Sequence, residues 1–183
     1  EVMGKNDRII SVETSYSDGE NASYRLMSNG FEGESKSTWY SVSASVAIKG
    51  EGEARPSDYW YGSSLFYDKL PKTDIGSVAL ERVLRKLGQK KAKSGKYTMV
   101  VDPINSGRML SPVLSALYGS SLQQKNSFLI DKLDQKVFSD KLTVMDDPHV
   151  IGANGSRYFD NEGVATEHRP IFENGVLKTY FFD

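Results

Sequence analysis

Along residues 41–48, apolar side chains alternate with serines, and this pattern constrains the fold more than any other feature of the chain. The apolar positions are Val42, Ala44, Val46 and Ile48. Because successive side chains of a strand point to opposite faces, the segment predicts a β-strand with one buried face and one wet face. Strands of this one-sided kind are typical of antiparallel sheets.

The segments around this strand have the same β character. Residues 8–66 are rich in β-branched and aromatic residues, and two groups of turn formers, residues 17–20 and 28–31, interrupt them. Turn formers between such runs indicate hairpins, so an antiparallel meander is expected. The aromatic residues of segment 51–68 indicate core packing or, less often, a ligand or partner surface.

A single amphipathic helix is predicted over residues 73–88. Thr73 or Asp74 can cap its start, and Gly88 can close its end. One face repeats apolar residues at helical spacing: Ile75, Ala79, Val83 and Leu87. The lysine-rich stretch that follows, residues 88–96, contains no large apolar residue and is the best candidate for a linker.

The second half of the chain combines one further helix with β-structure. A strand is predicted at 97–101 and a helix at 105–118, which Pro112 is expected to bend or divide. From residue 127 on, the pattern favours strands, with a type I′ hairpin at Asn174–Gly175. The fold class is therefore α+β, and because the last strand has no partner after it, the natural protein is expected to continue.

Composition excludes several classes of function. The 23 basic and 24 acidic residues give a net charge of -1, which predicts no direct binding to nucleic acid. The absence of cysteine excludes disulfides, thiolate metal sites and a cysteine nucleophile within these residues. No apolar stretch approaches the roughly 20 residues that cross a bilayer, so no membrane association is expected.

Two acidic segments are candidates for chemistry, and each has a structural alternative. Asp146, Asp147 and His149 lie within four positions, and they either contribute to a metal site or cap a turn. Asp160 and Glu162 would share one face of an extended strand as an acid and base pair, or they belong to a turn. One reading is an autonomous hydrolase that uses Asp146, Asp147, His149 and Glu162.

Several blocks resemble the TldD/PmbA family, peptidases of the bacterial and archaeal cytoplasm that have been described as modulators of DNA gyrase. These blocks include SGKYTMVVDP at 94–103, GSRYFDNEGVAT at 155–166 and IFENGVLKTYFFD at 171–183. The resemblance is clearest from about residue 70 to the end. It implies a fragment of a larger fold, in which 1–90 ends an N-terminal α/β domain and 91–183 begins a β-rich C-terminal domain.

The catalytic branch of that family carries His-Glu-x-x-x-His on the helix after the strand, where the histidines hold a metal and the glutamate activates water. Here the corresponding segment, MLSPVLSALYG at 109–119, has neither residue type. The chain therefore resembles the PmbA-like branch. That branch implies a metal-free cytoplasmic subunit that dimerises with a TldD-like paralogue, or with itself, to degrade unfolded or precursor peptides.

The resemblance also implies that zinc or iron is held only by the catalytic partner, and that the peptide substrate lies extended against strands. Asp160, Glu162 and Gly163 fall in the most recognisable loop of the family, so we expect them at a substrate groove or an interface. The alternative is a non-enzymatic regulatory protein that binds gyrase or another partner.

Overall fold

The computed structural model describes residues 2–182, which form two compact units. The first comprises the chain up to Ser94 together with Gly152–Asn154, and the second comprises the remaining residues from Gly95 on. The first unit contains β1 (Ile9–Leu26), β2 (Glu32–Ile48), β3 (Ser57–Ser64), a short 3₁₀ turn (Tyr67–Lys69) and α1 (Ile75–Leu84). The second contains α2 (Pro103–Ser115), α3 (Gly119–Gln123), β4 (Val144–Asp146), β5 (Arg169–Glu173) and β6 (Val176–Leu177). The predicted α+β class is confirmed.

The first unit is the predicted antiparallel meander, with strand order β1-β2-β3. The alternation in β2 has the predicted consequence. Ala44, Val46 and Ile48 are buried, whereas Ser45 and Ala47 between them are only partly covered.

The predicted turn at 17–20 is wrong, because β1 continues through it. Asp18 pairs with Tyr40 and Glu20 with Thr38 in an unbroken antiparallel register. Gly19 lies beneath the Trp39 indole, where an added Cβ would stand 2.6 Å from Nε1. This glycine therefore permits a close cross-strand contact and does not form a turn. The turn at 28–31 is confirmed, with Gly30 at φ +92°.

Helix α1 covers one face of the meander. Its predicted apolar stripe is confirmed, since Ile75, Ala79 and Val83 are buried in one cluster with Val46 and Ile48. The predicted cap is wrong in its detail. Asp74 precedes the helix in a left-handed conformation with φ 63°, and its side chain caps no backbone amide.

Asp58, at the start of β3, connects the sheet to α1 and to the residues just after it. Its carboxylate accepts a hydrogen bond from the Tyr59 amide at 2.8 Å, and lies 3.2 Å from Lys86 Nζ and 3.5 Å from Arg82 Nε. Partial burial alone would raise the pKa of Asp58. The amide and the two cations outweigh burial, so the pKa is held below its ordinary value of 3.8.

We predict that Asp58→Asn lowers the free energy of unfolding by about 1 kcal/mol at pH 7, because two cations lose their charged partner. A lowered folded-state pKa stabilises the protein above the unfolded pKa, and this contribution is lost as the pH falls through the folded value. The difference from wild type should therefore persist at pH 5 and shrink below pH 3.8. Urea unfolding at each pH measures it.

The control is Glu81→Gln, which removes an exposed ion pair with Arg85 within α1. Such pairs contribute less than about 0.5 kcal/mol. Equal losses in the two variants would contradict the role given to Asp58.

The second unit is built on the small antiparallel sheet β4-β5-β6. The predicted type I′ turn between β5 and β6 is confirmed, because Asn174 and Gly175 both have positive φ, 48° and 78°. Gly175 also leaves no room for a side chain, since an added Cβ would lie 2.3 Å from the Phe138 carbonyl oxygen. Phe172 and Leu177 are fully buried beside this turn.

Two strand predictions for this unit are wrong, and the division of α2 at Pro112 is not observed. Residues 97–101 form no strand, and Val100 is 91% exposed, so the apolar run there lies outside the core of the unit. Helix α2 is not divided at Pro112, because the break between α2 and α3 comes only after Ser115. A bend at Pro112 stays a prediction. Residues 127–143 consist mostly of turns, with one isolated bridge between Lys136 and Val176.

Candidate functional site

The end of α2 is fixed by hydrogen bonds to a segment distant in sequence. The Phe181 amide donates to the Leu117 carbonyl at 3.0 Å, and the Gly119 amide donates to the Phe181 carbonyl at 2.7 Å. Leu117 is fully buried. A Cβ at Gly119 would lie 2.9 Å from the Phe182 ring, so the absence of a side chain allows this close approach.

A cavity of about 610 Å³ lies next to this junction. Its volume falls within the range of small-molecule ligand pockets. One part of the lining is apolar: Leu114, Tyr118, Ile171, Phe181 and Phe182. The other part is charged: Asp146, Arg157, Asp160, Glu167 and Arg169. The cavity therefore offers apolar contact and both signs of charge.

Arg169 links the two parts of the lining. Its Nε lies 3.7 Å from Asp146 Oδ2, and its guanidinium carbon lies 6.0 Å from the centre of the Phe181 ring. Arg157 supplies a second cation, whose charge acts on Asp160. Neither arginine was a predicted site residue. Arg157 lies within the family-like segment 155–166, whereas Arg169 lies between two such segments.

Asp160 organises the loop that borders the cavity. Its Oδ1 accepts hydrogen bonds from the Glu162 amide at 2.8 Å and the Val164 amide at 2.9 Å. The Val164 amide is the main cause that lowers the pKa of Asp160, with help from the Glu162 amide and the charge of Arg157. The turn interpretation of this segment is therefore correct.

The three residues expected at a groove or an interface occupy different places. Asp160 lines the cavity, whereas Glu162 is exposed and neither it nor Gly163 is among the lining residues. Gly163 has φ +79°, the left-handed conformation that the turn requires.

We predict that Asp160→Ala frees the Glu162 and Val164 amides, because they lose their shared acceptor. Their hydrogen exchange, followed by mass spectrometry or NMR, should become faster. Glu162→Ala is the control and should leave the Val164 amide protected, since its side chain is not the acceptor. Unchanged protection in Asp160→Ala would show that the loop is held by other contacts.

The segment around His149 is also a turn. Asp147 Oδ1 accepts a hydrogen bond from the His149 amide at 3.2 Å, as expected for turn capping. The His149 ring stacks on Tyr158 with centroids 5.9 Å apart, and its Nε2 lies 3.2 Å from Thr166 Oγ1. His168 Nε2 stands 3.9 Å from Asp147.

These side chains do not fit a metal ion. Within residues 2–182, no three histidine, aspartate or glutamate side chains converge closely enough to hold one. Helix α2 itself contains only apolar, serine, asparagine and arginine side chains besides its glycine, Gly107. No described helix is long and apolar enough to cross a membrane.

Each of the two units matches a domain of a known protein family. Residues 1–87 match the model of the PmbA/TldA metallopeptidase central domain, and residues 94–183 match that of the PmbA/TldA metallopeptidase C-terminal domain. The chain belongs to the TldD/PmbA family. The resemblance inferred from the sequence blocks is therefore confirmed, including over the first 70 residues.

Individual relatives agree with this assignment. The chain is 35% identical to a metalloprotease PmbA homologue of Haemophilus influenzae, over 79% of this chain and 32% of that protein. It is 68% identical to a candidate modulator of DNA gyrase from Bacteroides thetaiotaomicron, whose crystal structure superposes with a TM-score of 0.95 over 99% of this chain and 41% of that one. TldE from Thermococcus kodakarensis shares the fold at 19% identity, with a TM-score of 0.70 over 93% of this chain and 38% of that one.

The chain therefore spans about a third to two fifths of the length of these relatives. The names of these relatives include both a metalloprotease and a modulator of DNA gyrase. Membership of a metallopeptidase family is shown for this chain by the two domain matches.

Proposed function

We propose that this chain is part of a metal-free, PmbA-like subunit that works in the cytoplasm with a metal-bearing paralogue to degrade unfolded or precursor peptides. The observation that carries the proposal is the composition of α2. By the family resemblance, the helix corresponds to the one on which the catalytic branch holds its metal, and its side chains offer no imidazole, thiolate or carboxylate ligand. Leu117, two positions after the end of the helix, is fully buried and contributes to packing.

The cavity beside α2 supports a role in holding the peptide. β4 forms one edge of its sheet, because the strand order is β4-β5-β6. Val144, Met145 and Asp146 of this strand also line the cavity. An extended peptide that pairs with the free edge of β4 would therefore place its side chains towards the cavity.

The charges of the cavity suit a peptide of mixed sequence. Arg157 and Arg169 face acidic side chains of the substrate, and Glu167 faces basic ones, while Ile171 and Phe181 receive apolar groups. A lining with both signs of charge favours no single side chain. Asp160 acts by holding the loop in place, and in this proposal Glu162 and Gly163 form the outer rim of the groove.

The test combines the natural protein with a family paralogue that carries His-Glu-x-x-x-His. We expect the two proteins to pair, and an unfolded peptide to be hydrolysed only by the mixture. Metal analysis of this protein alone should find less than stoichiometric zinc or iron. Peptide hydrolysis by this protein alone, with bound metal, would contradict the proposal.

A variant of the cavity tests whether this chain contributes to substrate binding. Val164 lines the cavity and is 58% exposed, so Val164→Asp adds a carboxylate there. We expect this change to raise the KM of the mixture for peptide severalfold. Ile151→Asp is the matched control, because Ile151 is also exposed but is not a lining residue. Equal KM values in both variants would place the peptide elsewhere.

A second function follows from the name of the Bacteroides relative, which describes a candidate modulator of DNA gyrase. Under this alternative the chain binds a protein partner and takes no part in proteolysis. Absence of pairing with the paralogue, together with direct binding to purified gyrase, would favour it over the peptidase assembly.

A further inference from the structure

The hairpin of β1 and β2 extends well beyond the rest of its unit. β3 pairs with β2 only between Tyr40 and Ala47. Within the described residues, the strand segments 19–26 and 32–39 pair only with each other. Two-stranded ribbons are marginally stable in water when nothing packs on them. We therefore expect another structural element to pack on residues 19–26 and 32–39 when the protein is assembled with its partner.

The face that α1 covers continues along the ribbon. The register pairs Ala44 with Thr14 and runs without a bulge to Leu26. Alternate residues therefore share one face, and the face that buries Ala44 against α1 carries Tyr24 and Leu26 further along. These two side chains are 60% and 70% exposed.

The same face is acidic. Glu20, Glu32 and Glu34 lie on it by the same alternation, and all three are exposed. Its one lysine, Lys36, lies 2.5 Å from Glu34 and is already paired. We call Glu20, Tyr24, Leu26, Glu32 and Glu34 the distal face. It combines exposed apolar groups with an excess of negative charge.

We propose that the distal face binds a helix of the partner subunit that presents lysine or arginine next to apolar side chains. A helix is the expected cover, because α1 already packs on the same face and a helix on a sheet completes a two-layer structure. Basic side chains are expected because complementary charge guides and orients association. The excess of carboxylates disfavours a nucleic-acid phosphate backbone as the occupant.

This inference rests on the proposed function, because it takes the metal-bearing paralogue as the partner. The first experiment identifies the occupant by photo-crosslinking in the mixture of the two natural proteins. A benzophenone amino acid replaces Tyr24 on the distal face or, as the matched control, Tyr59. Tyr59 is 53% exposed and lies on the opposite face of the sheet.

We expect the probe at position 24 to attach to a lysine- or arginine-bearing helix of the paralogue, and the probe at position 59 not to attach there. Mass spectrometry of the crosslinked peptides identifies the site. Crosslinks from position 24 only to this chain itself, only to a second copy of it, or to a segment without basic residues would overturn the inference.

The second experiment measures how much the negative charge of the distal face contributes to pairing with the paralogue. Glu20→Lys with Glu32→Lys should weaken pairing roughly tenfold or more at low salt and flatten its dependence on salt. Glu20→Gln with Glu32→Gln should show a smaller change in the same direction, without introducing positive charge. Glu13 lies on the opposite face, so the Glu13→Lys variant should pair with the paralogue as wild type does.

The two proposals fail in different ways. If wild type does not pair with the paralogue, both the proposed function and this inference are wrong. If wild type pairs and the doubly reversed variant, folded by circular dichroism, pairs with equal affinity and equal salt dependence, only this inference is wrong.

Discussion

The hydrogen bonds between the end of α2 and Phe181 are the constraint on which the second unit depends. They join residues more than sixty positions apart. Val113 and Leu114 of α2 pack on the apolar cluster that contains Phe172 of the small sheet. Leu117 is buried at this junction, and Gly119 permits the close approach of Phe182. Without this attachment the cavity would lose one wall, because Leu114, Tyr118 and Phe181 line it.

In the proposed function, this arrangement separates the position of a catalytic helix from its chemistry. The packing of α2 requires apolar groups and a glycine after its end, and none of these requirements involves a metal ligand. A family member can therefore lose its ligands and keep its fold, because the side chains that hold the helix differ from those that would hold an ion. The charged lining of the cavity remains available for binding, since Arg157 and Arg169 lie outside α2.

Local sequence patterns predicted the elements whose conformation is determined by residues close in sequence. The alternation in β2, the apolar stripe of α1 and the Asn174–Gly175 turn all depend on neighbouring residues, and the structure has all three. The predicted turn at 17–20 failed because Trp39, on another strand, packs on Gly19. The cavity could not be predicted, since its lining comes from α2, β4, β5 and loops that meet only in the folded chain. The family resemblance supplied what the patterns could not, namely a comparison with a catalytic branch whose corresponding helix carries metal ligands.

The central claim is that α2 is a structural helix in a subunit whose partner carries the metal. Anomalous X-ray diffraction at the zinc edge, from crystals of the natural protein in complex with its His-Glu-x-x-x-His paralogue, tests it most directly. The account predicts strong anomalous peaks on the paralogue and none within reach of the side chains of Pro103–Ser115. A zinc peak coordinated by side chains of that helix would contradict it.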